Sequence, residues 1–355
     1  MKRAEGKRLD RTDWTDRSTG QEVPHNRTSP SIEQCVLNLR KHLKENSPLG
    51  EYGADAIKQE MERLGCIHPI SRPTINRILE RNGMFDGKRR QRRPPPPTGW
   101  YLPDVANRLV ELDQFDFVED LCLEGGRLVH VFNGISLHGR LVLSCPESQM
   151  RAENTVQNLI SFWKEFGLPT YAQFDNSTVF QGSRKPDLLG KVIRFCLSLD
   201  VIPVFAPPHE TGFQASIESY NGRWQRGVWQ RFHFDNLRAV QRQSLKYVEA
   251  TRAKNASRRD ATPTRWEFPG DWRLDYQKHP RGKVIFIRRA NDQGQVEVLG
   301  HRWILSRAVT HRLVRAEVDL TKNKIDFYRL RRRESEDQEH LGTAKYRLPM
   351  KKFKE

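Results

Sequence analysis

Residues 199–226 read LDVIPVFAPPHETGFQASIESYNGRWQR. The apolar run 201–205 has the composition of a buried strand, and Pro207-Pro208 opens a short polar loop that ends at Gly212. The residues that follow have helical character and carry Glu218. This order predicts a carboxylate in the first turns of a helix, beside the end of a strand. Such a glutamate is commonly a solvated charge favoured by the helix dipole, so its role depends on its neighbours.

Two upstream segments each carry an aspartate on a predicted strand. Residues 110–131 read VELDQFDFVEDLCLEGGRLVHV, in which a strand bearing Asp116 runs into the Gly125-Gly126 turn and a second strand, as in a β-hairpin. Residues 171–180 read YAQFDNSTVF, a short strand that ends at Asp175. The chain therefore presents three carboxylates in the order Asp, Asp, Glu, two on strands and one on a helix.

At these residues the chain resembles the catalytic core of the retroviral-integrase superfamily, and most closely the insertion-sequence DDE transposases of bacteria. The motifs DQFDF, DNSTVF and IESYN place the family's three metal-binding acids at Asp116, Asp175 and Glu218. The chain departs from the family pattern at Ser177, where a glycine is usual, and in a longer interval between the second and third acids. The resemblance implies a ribonuclease-H-like fold and two Mg²⁺ ions, or Mn²⁺ in their place, held by these acids. It also implies cleavage that frees a 3′-hydroxyl and transfer of that hydroxyl to target DNA.

The chemistry gives a reason for three acids. In-line attack on a phosphodiester builds negative charge on the entering and leaving oxygens, and two divalent cations about 4 Å apart stabilise both. Mg²⁺ prefers oxygen ligands in near-octahedral geometry, so carboxylates suit it. We expect Asp116 to bridge the two ions, with Asp175 and Glu218 each completing one site. Asp113 precedes Asp116 by three positions on the same predicted strand and is expected on the opposite face.

The composition favours a nucleic-acid partner. The chain has 355 residues and a formal net charge of +17, and a strongly basic surface attracts polyanions. Its length allows two or three domains. No apolar run approaches the roughly 20 residues that span a bilayer, and a signal-peptide pattern is missing. We therefore expect a cytoplasmic protein with no membrane partner. The resemblance to bacterial transposases implies in addition a prokaryotic protein that is associated with the nucleoid when bound to DNA.

The N-terminal part predicts an all-α unit. Residues 1–29 are interpreted as a flexible polar tail, and residues 30–87 contain three segments with helical periodicity. The short turn before the third segment makes a helix-turn-helix DNA-binding domain the favoured interpretation, although a plain three-helix bundle fits the pattern equally well. The polar face of the third helix carries side chains that can reach base edges and phosphates in a major groove, namely Arg72, Asn76, Arg77 and Arg81.

Residues 88–106 are predicted to form a basic and proline-rich linker. Four prolines follow a basic cluster, as suits an extended, semi-rigid segment that lies along a DNA backbone. A solvated spacer without DNA contact is the alternative. The basic cluster consists of Lys88, Arg89, Arg90, Arg92 and Arg93.

Residues 107–268 are predicted to form an α/β core of three antiparallel strands followed by alternating helices and strands. Beyond Glu218, Arg223 and Arg226 lie one helical turn apart and are candidates for phosphate contacts. Residues 269–333 change to a period of two, which predicts a small C-terminal β-barrel. The resemblance implies that this barrel binds DNA or another protomer, and a purely structural barrel is the alternative. Residues 334–355 are interpreted as a charged tail.

The sequence thus predicts a multi-domain DDE transposase or integrase, a two-metal-ion polynucleotidyl transferase. Its expected partners are double-stranded DNA, as element ends and target, further copies of itself on that DNA, and accessory transposition proteins. One alternative is a non-catalytic DNA-binding regulator or degenerate transposase, which explains the charge but leaves the three acids unexplained. Another is a ribonuclease-H-type nuclease that cuts without joining, which has less need of flanking DNA-binding modules.

Overall fold

The computed structural model describes residues 28–66, 70–84, 98–183, 185–208, 210, 212–257, 262–332 and 334–354. The chain divides into two compact units, residues 1–47 with 51–88 and residues 48–50 with 89–355. The predicted basic cluster at residues 88–93 and nearly all of the predicted tail 1–29 lie outside the described residues. No helix in the described ranges is both long and apolar enough to cross a membrane.

The first unit contains the three predicted helices, α1 (Pro30–Asn46), α2 (Ala54–Arg63) and α3 (Arg72–Arg81). Their apolar faces meet in one small core that includes Val36, Ile57 and Ile75. The hydroxyl of Ser71 accepts a hydrogen bond from the backbone nitrogen of Thr74 and so caps the start of α3. The three helices are confirmed, whereas their use as a helix-turn-helix stays a prediction.

The second unit begins with the predicted strand order of the core. The first three strands, β1 (Leu112–Cys122), β2 (Leu128–Ser136) and β3 (Val142–Glu147), are antiparallel. Then β4 (Tyr171–Phe174) pairs parallel to β1, and β5 (Ile202–Phe205) pairs parallel to β4. This mixed sheet confirms the α/β core.

Helices cover both faces of this sheet. In chain order they are α4 (Pro103–Ala106), α5 (Ala152–Phe166), α6 (Thr178–Gln181), α7 (Lys191–Ser198), α8 (Ala215–Trp224) and α9 (Leu237–Lys254), and a π-helical turn, Gln225–Trp229, follows α8 directly. On the α5 and α7 face, Phe115 stacks between Phe132 and Phe174, with centroids 5.5 Å away in each case. Gly134 lies opposite Phe115 on β2, where a Cβ atom would be 2.6 Å from that ring. The glycine therefore makes room for the aromatic stack.

The C-terminal strands do not form the separate barrel that periodicity predicted. They are β6 (Lys283–Arg289), β7 (Gln295–Val298), β8 (His301–Ile304), β9 (Leu313–Asp319), β10 (Lys324–Arg329) and β11 (His340–Lys345). Strand β6 pairs parallel to β5, which extends the core sheet to nine strands in the order β11-β10-β9-β6-β5-β4-β1-β2-β3, and β7 and β8 form a hairpin of their own. Four consecutive residues of β6, from Val284 to Ile287, are buried, as is typical of an interior strand covered on both faces.

The predicted linker and charged tail were also placed too broadly. The last part of the linker packs in the second unit, since Trp100 and Tyr101 are buried and α4 follows them. The tail contributes β11, which pairs antiparallel to β10, and its apolar residues Tyr346 and Leu348 are buried. Frequent charges concealed these few apolar positions, which are enough to dock the segment.

Asp113 lies on the opposite face from Asp116, as expected. Its side chain is fully buried and accepts two hydrogen bonds of 2.8 Å from the guanidinium of Arg265. The indole nitrogen of Trp163 donates a third, at 3.0 Å. Asp113 is thus a structural residue that ties β1 to α5 and to the segment after α9.

We predict that Arg265→Gln lowers the free energy of unfolding by about 3–5 kcal/mol, because it leaves the buried Asp113 carboxylate without its cation. Urea unfolding followed by circular dichroism measures the loss. Arg331→Gln breaks the exposed pairs of Arg331 with Glu334 and Asp337 and serves as the control, with little expected change. Equal midpoints for the two variants would contradict the structural role of the buried pair.

Candidate active site

Asp116 is held by a chain of two asparagine side chains. The side-chain nitrogen of Asn221 on α8 donates to Oδ2 of Asp116 at 2.8 Å. Asn133, directly opposite Asp116 on β2, donates to the side-chain oxygen of Asn221, also at 2.8 Å. Both asparagines are buried. The chain orients the Asp116 carboxyl and fixes α8 against β1 and β2.

Asp175 follows directly after β4, the parallel neighbour of β1. Gln114 on β1 lies opposite Gln173 on β4, and Asp116 and Asp175 each come two residues later in the chain. Burial raises the pKa of Asp116 to about 7, and the charge of Asp175 adds to this increase. Two neighbouring carboxylates that repel each other in this way fit a divalent cation, since a bound cation would relieve the repulsion.

Ser177 does not disturb the turn after Asp175. Its backbone has φ −65° and ψ 152°, a conformation that any L-residue adopts, so the glycine usual in the family is not needed here. The backbone nitrogen of Ser177 donates to Oδ1 of Asp175 at 3.0 Å and steadies that carboxyl. The departure from the family motif is therefore accommodated without strain.

Glu218, the third predicted ligand, is exposed on α8. It shares with Asp175 the lining of a cleft of about 910 Å³. Among the described residues, no three acidic, histidine or cysteine side chains are grouped so that they could hold a metal ion. The structure thus places Asp175 near enough for its charge to act on Asp116, and it places Asp175 and Glu218 in one cleft, but it does not gather the three acids into one metal-binding group.

A buried polar network, which the sequence did not reveal, positions the start of α8. Gln114 donates to the side-chain oxygen of Gln173 at 2.8 Å, and the hydroxyl of Tyr101 donates to the same oxygen at 2.6 Å. The side-chain oxygen of Gln114 accepts a hydrogen bond from the backbone nitrogen of Ile217 at 3.2 Å, one residue before Glu218. The sequence did contain one signal for this network, because Gln114 and Gln173 are polar residues within predicted buried strands. Asn133 could have been found in the same way.

The predicted DNA-binding arginines differ in their surroundings. Arg223 and Arg77 are exposed, and so is Arg226, which lies in the π-helical turn and not in the regular helix that was expected. Arg72 forms an ion pair with Asp55 at 3.1 Å, and Arg81 pairs with Glu33. Asn76 is half-buried. The structure leaves their contact with DNA as a prediction.

Comparison with known proteins finds integrase structures at low similarity. No protein-family model matches the chain. The catalytic core domain of BIV integrase is 13% identical with a TM-score of 0.30, over 39% of this chain and 81% of that one. The HTLV-2 integrase catalytic core in complex with magnesium is 14% identical with a TM-score of 0.29, over 37% and 80%. A chain of a simian T-cell lymphotropic virus intasome, in complex with a PP2A regulatory subunit, is 13% identical with a TM-score of 0.35, over 77% and 88%. Values this low establish neither a family nor an activity.

Asp116 makes the stability of the metal-free protein depend on pH. Its pKa is about 7 in the folded chain and about 3.9 when unfolded, so the folded state binds more protons between these values and stability falls as pH rises through them. With EDTA present, Asp116→Asn should exceed the wild type in unfolding free energy by about 1–3 kcal/mol at pH 8, and the difference should shrink toward pH 4. Urea unfolding at both pH values tests this.

Asp120→Asn is the matched control, because it makes the same change at an exposed position of β1. Its φ of 55° is one that asparagine tolerates well. It should follow the wild type at both pH values. An Asp116→Asn protein that is less stable than the wild type at pH 8 would contradict the repulsion described here.

Proposed function

We propose that the chain is a metal-dependent polynucleotidyl transferase, and more specifically a DDE transposase or integrase that cleaves DNA 3′ ends and transfers them to target DNA. The observation that carries this proposal is the interaction of Asp116 on β1 with Asp175, just beyond the end of the neighbouring parallel strand β4, which contributes to the raised pKa of Asp116. A pair of carboxyls whose environment shifts a pKa by several units is a candidate functional site. The net charge of +17 supports DNA as the substrate.

The residues present fit Mg²⁺, or Mn²⁺ in its place, at the paired aspartates. Asp116 and Asp175 would hold the cation. Glu218 would be a further ligand if its side chain moved toward Asp175. A divalent cation there supplies positive charge to the entering and leaving oxygens of a phosphodiester. Asn221 keeps Oδ2 of Asp116 in place, and the turn at Ser177 does the same for Oδ1 of Asp175.

The wider proposal concerns DNA recognition and assembly. The three-helix unit would read element ends through Arg77 and its neighbours, while the basic cluster of residues 88–93 would contribute affinity for any sequence. Joining two ends in one event calls for more than one copy of the chain on DNA, and accessory proteins remain candidates for partners.

A non-catalytic DNA-binding regulator is the second candidate. The observation in its favour is that the described residues contain no group of three potential metal ligands. The regulator and the transferase predict opposite effects on DNA cleavage and joining when Asp116, Asp175 or Glu218 is replaced.

We predict that Asp116→Asn, Asp175→Asn and Glu218→Gln each lower cleavage and joining by at least about 100-fold while DNA binding survives. The substrate is a branched duplex in which a free 3′-hydroxyl abuts the phosphodiester of a continuous strand, so element ends need not be known. Products are separated on denaturing gels with Mg²⁺ present. Asp120→Asn is the control and should keep full activity.

The outcomes distinguish the three classes. Wild-type activity in all three acid variants, or a wild type without any activity, would return the chain to the regulator class. Cleavage without joining would identify a nuclease. Loss of activity in the two aspartate variants alone would show that Glu218 is not a ligand.

A further prediction separates specificity from affinity. Arg77→Ala should relax base preference at one position and cost about 1–3 kcal/mol on the preferred site. Replacement of Arg89, Arg90 and Arg92 by alanine should weaken binding to all sequences and flatten the salt dependence by about 0.9 per lost contact. Selection from random duplexes, followed by anisotropy titration, measures both. The assignment of specificity to Arg77 and of general affinity to the basic cluster is wrong if both changes have the same sequence-independent effect on DNA binding.

A further inference from the structure

The strands that extend the sheet bring an arginine into the cleft that holds Asp175 and Glu218. One side of this cleft is built from the residues around the acids, including Asn176 and Ala206. The other side comes from β6 and the β7 region, which contribute Phe286, Arg288 and Glu297. Arg288 therefore reaches the candidate active site from a part of the chain distant in sequence from all three acids.

The guanidinium of Arg288 is fixed close to the Asp175 turn. Its Nη1 donates to the carbonyl oxygen of Ile287 at 2.9 Å and to that of Ala206 at 3.4 Å. The side-chain nitrogen of Asn176, the residue after Asp175, donates to the same Ala206 carbonyl at 2.6 Å. The Cζ atom of Arg288 also lies 5.0 Å from the centre of the Phe286 ring. One shared carbonyl thus links Arg288 to the segment that carries the second acid.

Arg288 lacks a carboxylate partner of the kind that Arg265 and Arg315 have. Arg265 is paired with Asp113, and Arg315 forms an ion pair of 3.0 Å with Glu317. Arg288 forms no ion pair with any carboxylate of the described ranges. Burial lowers its pKa to about 10, with Glu297 acting in the opposite direction, whereas Asp113 outweighs burial for Arg265 and keeps that pKa raised.

A half-buried cation without an ion-pair partner is costly, and an anion that enters the cleft would offset this cost. Within the described part of the chain, the side-chain hydrogen bonds of Arg288 come from Nη1 alone, so the other guanidinium N–H groups can donate to a ligand. An arginine fork matches the geometry of phosphate oxygens.

We propose that Arg288 binds a phosphate of the DNA strand that occupies the cleft beside Asp175 and Glu218. This inference rests on the proposed function, and it assigns the added strand β6 a part in substrate binding. Arg288 thereby positions the strand, while the carboxylates face the reacting phosphodiester.

The test is the salt dependence of DNA binding by the full chain, with Ca²⁺ in place of Mg²⁺ so that binding is measured without turnover. The probe is a fluorescein-labelled branched duplex, and anisotropy gives the affinity at a series of NaCl concentrations. Arg288→Gln should weaken binding roughly tenfold and reduce the slope of log affinity against log salt by about 0.7–0.9. Arg281→Gln makes the same charge change at an exposed position just before β6, and it should leave both quantities near the wild-type values.

A slope unchanged in Arg288→Gln, or reduced equally in Arg281→Gln, would overturn the proposal. Folding is checked by thermal unfolding, where removal of this half-buried cation without an ion-pair partner should leave the midpoint equal or higher. Arg288→Met is a second neutral variant with the same expected slope.

Inorganic phosphate added at constant ionic strength should affect DNA binding by the wild type and by Arg288→Gln alike. Selective displacement of DNA from the wild type would instead show a site for free phosphate and overturn the assignment to DNA.

These measurements separate the inference from the proposed function. An unaltered slope in Arg288→Gln, together with loss of joining in the acid variants, would reject the inference alone. A reduced slope, together with full activity of the acid variants, would reject the transferase and leave Arg288 as a phosphate-binding residue.

Discussion

Buried amide hydrogen bonds fasten helix α8 to the sheet, and the candidate site depends on this attachment. Apolar residues of α8, such as Ile217 and Trp224, bury the helix but are compatible with small slides and rotations along the sheet. The hydrogen bond that Asn133 donates to Asn221 and the one that Gln114 accepts from the backbone nitrogen of Ile217 are directional and remove that freedom. Loss of one partner would leave a buried polar group without a hydrogen bond and lower the free energy of unfolding by about 1–3 kcal/mol. The position of α8, and with it of Glu218, is therefore set by polar contacts within an apolar setting.

Local pattern in the sequence was sufficient for most elements of the core. Apolar periodicity located β1 to β5 and the helices α5 and α7, whereas the assignment of Asp116, Asp175 and Glu218 as ligands stays a prediction from short motifs. The sequence pattern could not show which side chains are hydrogen-bonded to each other. The pairing of Gln114 with Gln173 depends on a register between strands far apart in the chain, and no local signal encodes it. Asn133 reads in the sequence as one polar residue in a hydrophobic strand.

The same limit explains the incorrect barrel. A period of two identifies a strand but does not say which neighbour it will pair with. The uninterrupted apolar run at Val284 to Ile287 was the one local sign of an interior strand, since a barrel strand with one solvated face would alternate. The register of β6 beside β5, with Phe286 stacked on Phe205 at a centroid distance of 5.3 Å, is a tertiary property.

The extended sheet has a consequence for the order in which the chain is made. All three acids lie before residue 219, whereas one wall of the cleft begins at Phe286. Until the later strands have emerged from the ribosome, the open edge of β5 exposes unpaired backbone groups, a hazard for aggregation, and the acids face solvent without that wall. Pairing of β5 with β6 closes a long loop and is expected to be among the slower folding events. Synthesis of the C-terminal strands thus completes the cleft, so that an unfinished chain carries the acids but not the enclosure around them.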